Sequence, residues 1–201
     1  MIGKPRKTPP LELVIKAVDY KNDQDPNKVT VDGDTIAKEL LYSQRLTTWL
    51  NEICEAPSEE LQIAARAQHL CRWMTPRADY PEGKKGYLKW RSELKTFHAD
   101  MVTKMMAKAR YSDNACNKVR ELIEKKNYAK DPQGQILEDA VCLVFLEFEF
   151  DAFVKKWQYD DEKVIDIVQK TWAKMSEVGH EYALKLKMSK NQTRLIQLAL
   201  A

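Results

Sequence analysis

The run Ala140 to Leu146 is apolar throughout, inside a segment whose other apolar positions recur at helical spacing. A helix that is apolar on every side has no face to give to water, so other elements must surround it. The run is far shorter than the roughly 20 residues that cross a bilayer. It predicts a central buried helix over about 136–157, with the rest of the chain folded around it. No β-branched alternation is long enough for a sheet and no internal repeat appears; Val29 to Val31 alone suggests a brief pairing.

Helical periods and their punctuation place further helices at about 11–20, 35–55, 58–73, 87–110, 112–126, 160–175 and 177–186, with a helical stretch from Ser189. Asp34 and Ser58 are suited to cap the second and third. Pro76, Pro81, Gly83 and Gly86 mark 74–86 as a loop. Pro5, Pro9 and Pro10, in a basic stretch without apolar residues to pack, read 1–10 as a disordered arm. The organisation expected is a basic arm over 1–10, a helical domain over 11–188 and a helical tail over 189–201. The fold class is all-α: a single compact bundle of seven to nine helices.

With 201 residues, 44% of them hydrophobic, the chain can build one substantial core. Its net charge of +3 lacks the strong basic excess of a typical nucleic-acid binder. Cys54, Cys71, Cys116 and Cys142 are far apart, with no Cys-x-x-Cys pair, which favours buried thiols over disulfides or a zinc cluster. The first residues have no secretory apolar run. A cytoplasmic or nuclear protein that is not secreted and has no membrane partner is expected.

Several motifs fail. Asp23, Asp25 and Asn27 imitate the start of an EF-hand loop, but Lys28 stands where glycine is needed and Asp34 where glutamate is needed, so a solvated turn is expected. No glycine-rich phosphate loop or serine elbow is present.

The polar residues in awkward places carry more. On the helix 87–110, Tyr87, Arg91, Leu94 and His98 form one stripe, with Lys95 beside it, bordering the apolar face of Trp90, Phe97, Met101 and Met105. His98 therefore either lines a cleft or sits hydrogen-bonded at the edge of the core. His69 projects away from the face of Ile63, Ala67, Leu70 and Met74, toward solvent or toward a cleft between helices. His180, at a helix boundary, reads as a surface or capping residue. Glu138 and Asp139 open the central helix, where acids complement the helix dipole; an acid beside a fully buried segment also needs a partner or a metal. Arg45, Arg72, Arg77, Tyr80, Tyr87, Arg91 and Lys95 gather around the same segments. Arginine forks suit phosphate and carboxylate groups, and the 74–86 loop is placed to cover such a ligand. Pairing with surface acids is the alternative.

Longer phrases carry a resemblance. Lys-Glu-Leu-Leu-Tyr-Ser-Gln-Arg (38–45), Ala-Ala-Arg-Ala-Gln-His (64–69), Arg-Trp-x-x-Pro-Arg (72–77), Gly-Tyr-x-x-Trp-Arg (86–91) and Leu-Glu-Asp-Ala-x-Cys-Leu-Val-Phe-Leu-Glu (137–147) resemble the family called domain of unknown function 4202, from Leu11 to about His180. That resemblance brings no activity with it. More distantly, the chain is similar to the HD superfamily of helical metal-dependent phosphohydrolases. Gln44 falls at that pattern's first histidine, His69 at the histidine of its His-Asp pair, His98 at a later histidine and Asp139 at its final aspartate, while Leu70 replaces the paired aspartate.

The HD resemblance implies one divalent metal (manganese, iron or zinc) held by His69, His98 and Asp139, with Gln44 or water completing the shell. Its bound water would attack a phosphoester, with Glu138 accepting the proton. Arg72, Arg77, Arg91 and Lys95 would hold the phosphate. The expected function is thus a metal-dependent hydrolase of a small phosphorylated, nucleotide-like molecule, or an iron oxygenase using the same ligands. The alternative is a non-catalytic helical module that binds RNA, a phospholigand or a protein through its arginine and aromatic surface.

Overall fold

The computed structural model describes residues 8–126 and 130–201. Positions 1–7 of the expected arm lie outside the described residues. Ten α-helices and one short hairpin follow in the order α1 (Pro10–Asn22), β1 (Lys28–Val31), β2 (Asp34–Ala37), α2 (Lys38–Ile53), α3 (Glu59–Arg66), α4 (Gly83–Lys108), α5 (Asp113–Glu124), α6 (Pro132–Val144), α7 (Phe150–Lys156), α8 (Asp161–Trp172), α9 (Glu177–Leu184) and α10 (Lys190–Leu200). The all-α reading holds. No helix among the described residues is long and apolar enough to cross a membrane.

Helix starts follow local chemistry. Ser58, Ser112, Asp131, Asp160, Ser176 and Ser189 each accept a hydrogen bond from a backbone N–H of the first turn that follows. Asp34 does not cap α2 as its position suggests. Asp32 and Gly33 have φ of 52° and 92°, making a tight turn that pairs Val31 with Asp34 and Lys28 with Ala37. An Asp-Gly pair is a strong hairpin signal, and here it overrides the helix start. The cap of α2 comes from Asp25 instead. Its carboxylate accepts from the Glu39 N–H at 3.1 Å and from the backbone and side-chain amides of Asn27, so Asp25 is buried in a protein-only network rather than in the solvated turn expected.

The third segment is helical only to Arg66. Cys71 then takes a left-handed conformation (φ 55°), and short 3-10 turns at Arg72–Met74 and Arg77–Asp79 lead into α4. The main core joins Leu46 and Leu50 of α2, Ile63 of α3, Met106 of α4, Ile123 of α5 and Leu137 of α6. A second cluster packs Phe150, Val164, Val168 and Leu195, so α10 is integrated with α7 and α8. Leu143, Leu146, Met175 and Ala183 make a third, tying α6 to α9.

The central apolar run is buried on most sides, as expected, but the helix does not continue intact to 157. A single π-turn over Phe145–Glu149 separates α6 from α7, which is why ten helices appear instead of nine. It leaves Phe150 fully buried, exposes Glu147 and Phe148, and sets Glu149 at the edge of a cleft. Val141 and Phe145 are only half-buried because they face a cleft.

Candidate functional site

That cleft, of about 720 Å³, opens between α4 on one side and α6, the π-turn and α8 on the other. Its size falls within the range of small-molecule sites. Its floor is a chain of polar contacts built on three connected segments. The Arg72 guanidinium donates to His69 Nε2 at 2.8 Å. With that nitrogen accepting, Nδ1 carries the proton and donates to Glu39 Oε2 at 3.0 Å. The His69 ring stacks on Tyr42, and Arg72 also lies over Trp90, 5.0 Å from its ring centre. Trp90 in turn donates to the Thr75 carbonyl at 2.9 Å, anchoring the turns before α4.

His98 sits beside this chain, its ring 6.4 Å from that of His69. Its Nδ1–H donates to the Leu70 carbonyl at 2.7 Å, so Nε2 is the unprotonated nitrogen. Burial, with the neighbouring His69, lowers its pKa to about 3, and burial with Arg72 depresses that of His69 well below its ordinary value. Both imidazoles are neutral. Burial raises the Glu39 carboxyl despite the opposing pull of Arg72 and Lys38.

Six cationic side chains reach the walls: Arg72, Arg91, Lys95, Lys125, Lys170 and Lys174, against the carboxylates of Glu138 and Glu149. Lys125 pairs with Glu138, and Lys170 pairs with Asp166 outside the wall. Among the described residues, Arg72, Arg91, Lys95 and Lys174 have no carboxylate partner. Lys95 is pushed below its ordinary pKa, first by burial and then by Lys125 and Arg91. Tyr42, Tyr87, Trp90, Phe145 and Phe153 supply aromatic faces. The small net charge of the whole chain thus hides a concentrated positive site.

Among the residues anticipated from sequence, His69, His98, Glu138, Arg72, Tyr87, Arg91 and Lys95 meet in this cleft. Others go elsewhere. Arg77 donates to the carbonyls of Tyr80 and Pro81 and so braces its own loop. Tyr80 donates to Glu93. Arg45 stacks over Phe148 at 3.9 Å, and Gln44 is a half-buried residue of α2 that does not line the cleft. Asp139 departs most from its anticipated place. It accepts from the Ser176 N–H at 2.8 Å, the Ser176 hydroxyl and the Gln135 amide at 3.0 Å, so it fixes the start of α9. His180 donates to or accepts nothing from the cleft; its Nε2 meets the last carbonyl of α8, that of Trp172, at 2.9 Å in the capping role expected.

The donor set does not fit a divalent ion. The Arg72 guanidinium occupies the His69 nitrogen that would face a metal, Asp139 is engaged by Ser176 and Gln135, and Gln44 lies outside the cleft. No group of three or more His, Cys, Asp or Glu among the described residues is arranged to hold a metal. Cys142 borders the cleft with its thiol raised to about 12 by burial, which leaves it a poor nucleophile.

Lys125, Lys170, Lys174 and Glu149 escaped the sequence reading. Lys125 reaches Glu138 because it ends α5 in a left-handed conformation (φ 58°). Glu149 enters the wall through the π-turn, and no regular helical period signals it. Lys170, in α8, and Lys174, just past its end, carry no sequence signal that sets them apart from other lysines; only the fold brings them to the cleft.

Comparison with curated proteins and with solved structures finds no match. Neither comparison supports the HD superfamily, and Asp139, held by Ser176 and Gln135, does not line the cleft that holds His69 and His98. A family model does match 12–196, nearly the whole chain. The chain belongs to the family described as Domain of unknown function (DUF4202).

Proposed function

We propose that this protein binds a small phosphorylated molecule carrying a planar ring in the cleft between α4 and α6. One observation carries the reading: Arg72, Arg91, Lys95 and Lys174, without carboxylate partners among the described residues, converge on a cleft that also exposes aromatic faces. Like charges held together in a partly dry site repel one another, and a phosphate relieves that repulsion while filling the guanidinium and ammonium donors. Tyr87, 42% exposed at the cleft, offers a face on which a planar ring stacks, while Trp90 is buried behind Arg72.

Titration calorimetry with a nucleoside and its monophosphate tests this. The phosphorylated form should bind, and the free nucleoside about tenfold or more weaker, since each charge-assisted contact is worth about 1.5–3 kcal/mol. Arg72→Met and Lys174→Ala should each weaken the monophosphate and leave nucleoside binding unchanged. Equal affinity for the two ligands, or no binding of either, overturns the reading.

Hydrolysis of such a ligand is a second reading, favoured by Glu149. Glu138 is held by Lys125, whereas Glu149 lies in the cleft wall with its carboxyl raised above the ordinary range by burial. A carboxyl of that kind suits proton transfer. Glu149→Gln should abolish phosphate release from a bound monophosphate ester with binding intact; release at the wild-type rate excludes this role.

A further inference from the structure

A second recess, of about 550 Å³, lies beside the cleft where α4 meets the end of α5. It is lined by Leu88, Ser92, Thr96, Glu124 and Lys126, and it shares Arg91 and Lys95 with the cleft. Those two side chains stand one helical turn apart on α4 and form the divide between two openings. We propose that the recess is a second anion subsite, so that the ligand carries at least two phosphate groups, one on each side of the Arg91–Lys95 divide. This deepens the phospholigand reading of the cleft and rests on it.

Three features of the recess support the assignment. Arg91 and Lys95 have no carboxylate partner among the described residues on either side of the divide. Lys95 is crowded by Arg91 and Lys125, and a single anion in the cleft leaves its other side facing the recess. The one acid among the described lining residues, Glu124, is already neutralised. Arg120 and Lys126 both bind its carboxylate and hold its pKa below the ordinary range against the effect of burial. The recess is therefore net positive. A ligand seated across both places its ring against Tyr87 and carries its phosphate chain over the divide.

The test is a calorimetric series of orthophosphate, pyrophosphate, tripolyphosphate and tetrapolyphosphate on the full chain. Each is measured beside Thr96→Leu and Ser92→Leu, which fill the recess from exposed positions on α4 and spare the cleft. Wild-type affinity should rise about tenfold or more once the chain is long enough to cross the divide. Both leucine variants should erase that rise and leave orthophosphate binding unchanged. A rise that survives both variants, or no rise with chain length, overturns the second subsite and leaves the phospholigand reading standing. No binding by any member of the series removes both.

Discussion

The imidazole of His69 lies flat on the ring of Tyr42, with centroids 3.7 Å apart and planes 12° from parallel. Its two nitrogens are held between Glu39 and Arg72. A residue fixed on three sides in this way positions Arg72, one of the cations of the cleft. His69 thus holds Arg72 in place rather than standing free as a ligand, and its neutrality matters: a protonated ring cannot accept from Arg72.

That neutrality has a consequence for acid stability. The pKa of His98 lies at about 3 in the folded chain, against an ordinary 6.5, and that of His69 is depressed as well. Below pH 6.5 the unfolded chain takes up protons on both rings, and the folded chain does not. Stability present above pH 6.5 is therefore lost as pH falls, by up to about 1.4 kcal/mol per pH unit for each histidine. Glu39 and Glu149, both raised, act the other way by binding protons in the folded state. Urea unfolding at pH 7, 6 and 5 should show a net decline, and His98→Gln should flatten it. A profile of equal slope in the two proteins contradicts the buried neutral state of His98.

Asp139 and Gly179 make a second pair whose roles can be separated. A Cβ on Gly179 would fall 2.7 Å from Asp139 Oδ1, the oxygen that accepts from Ser176 N–H and Gln135. Gly179→Ala and Asp139→Ala should each lower stability by about 1–2 kcal/mol, through loss of the cap that starts α9. Neither should change phosphate affinity, because Asp139 does not line the cleft. Denaturant midpoints measured beside phosphate titrations decide the matter. A loss of affinity at full stability would return Asp139 to the ligand site.

How much of this was legible differs by element. The buried character of α6 was, because an all-apolar run leaves a helix no other place. The cleft stripe of Tyr87, Arg91 and His98 was legible too, since it depends only on the 3.6-residue period of α4. Asp139 was misplaced because its partner, Ser176, lies 37 residues away and no local pattern connects them. Glu149 was invisible because a π-turn breaks the period that would have located it. The hairpin was half legible: Val29 to Val31 suggested a brief pairing, but the partner strand, Asp34–Ala37, was assigned to the helix expected from about 35.

Gly86 tests how firmly the loop ahead of α4 is seated. A Cβ there would lie 1.8 Å from the Pro81 carbonyl oxygen and 2.7 Å from its carbon, both backbone atoms that the chain cannot easily move. Gly86→Ala forces Pro81 away from α4 and disturbs Arg77, which donates to the Tyr80 and Pro81 carbonyls at 2.8 and 2.9 Å. The variant should lose about 2–3 kcal/mol, beyond the usual range for a surface change. Limited proteolysis should cut within 75–82 faster than in the wild type. Unchanged stability and cleavage would mean that the loop yields without strain.

The pair Lys125–Glu138 distinguishes a structural acid from a catalytic one. Both side chains are largely buried, at 17% and 7% exposure, and each is the other's ion-pair partner. Removing one partner leaves a charge in a site with little water, which costs about 3–5 kcal/mol, whereas replacing both with apolar residues is often nearly neutral. Lys125→Met should therefore destabilise the chain more than the double variant Lys125→Met/Glu138→Leu. Methionine keeps the small penalty that lysine already bears at the positive φ of position 125, so the comparison isolates the charge. If Glu138 serves only to neutralise Lys125, the double variant keeps both stability and phosphate affinity. A double variant that is stable and binds phosphate, yet loses a phosphatase activity present in the wild type, assigns Glu138 to proton transfer.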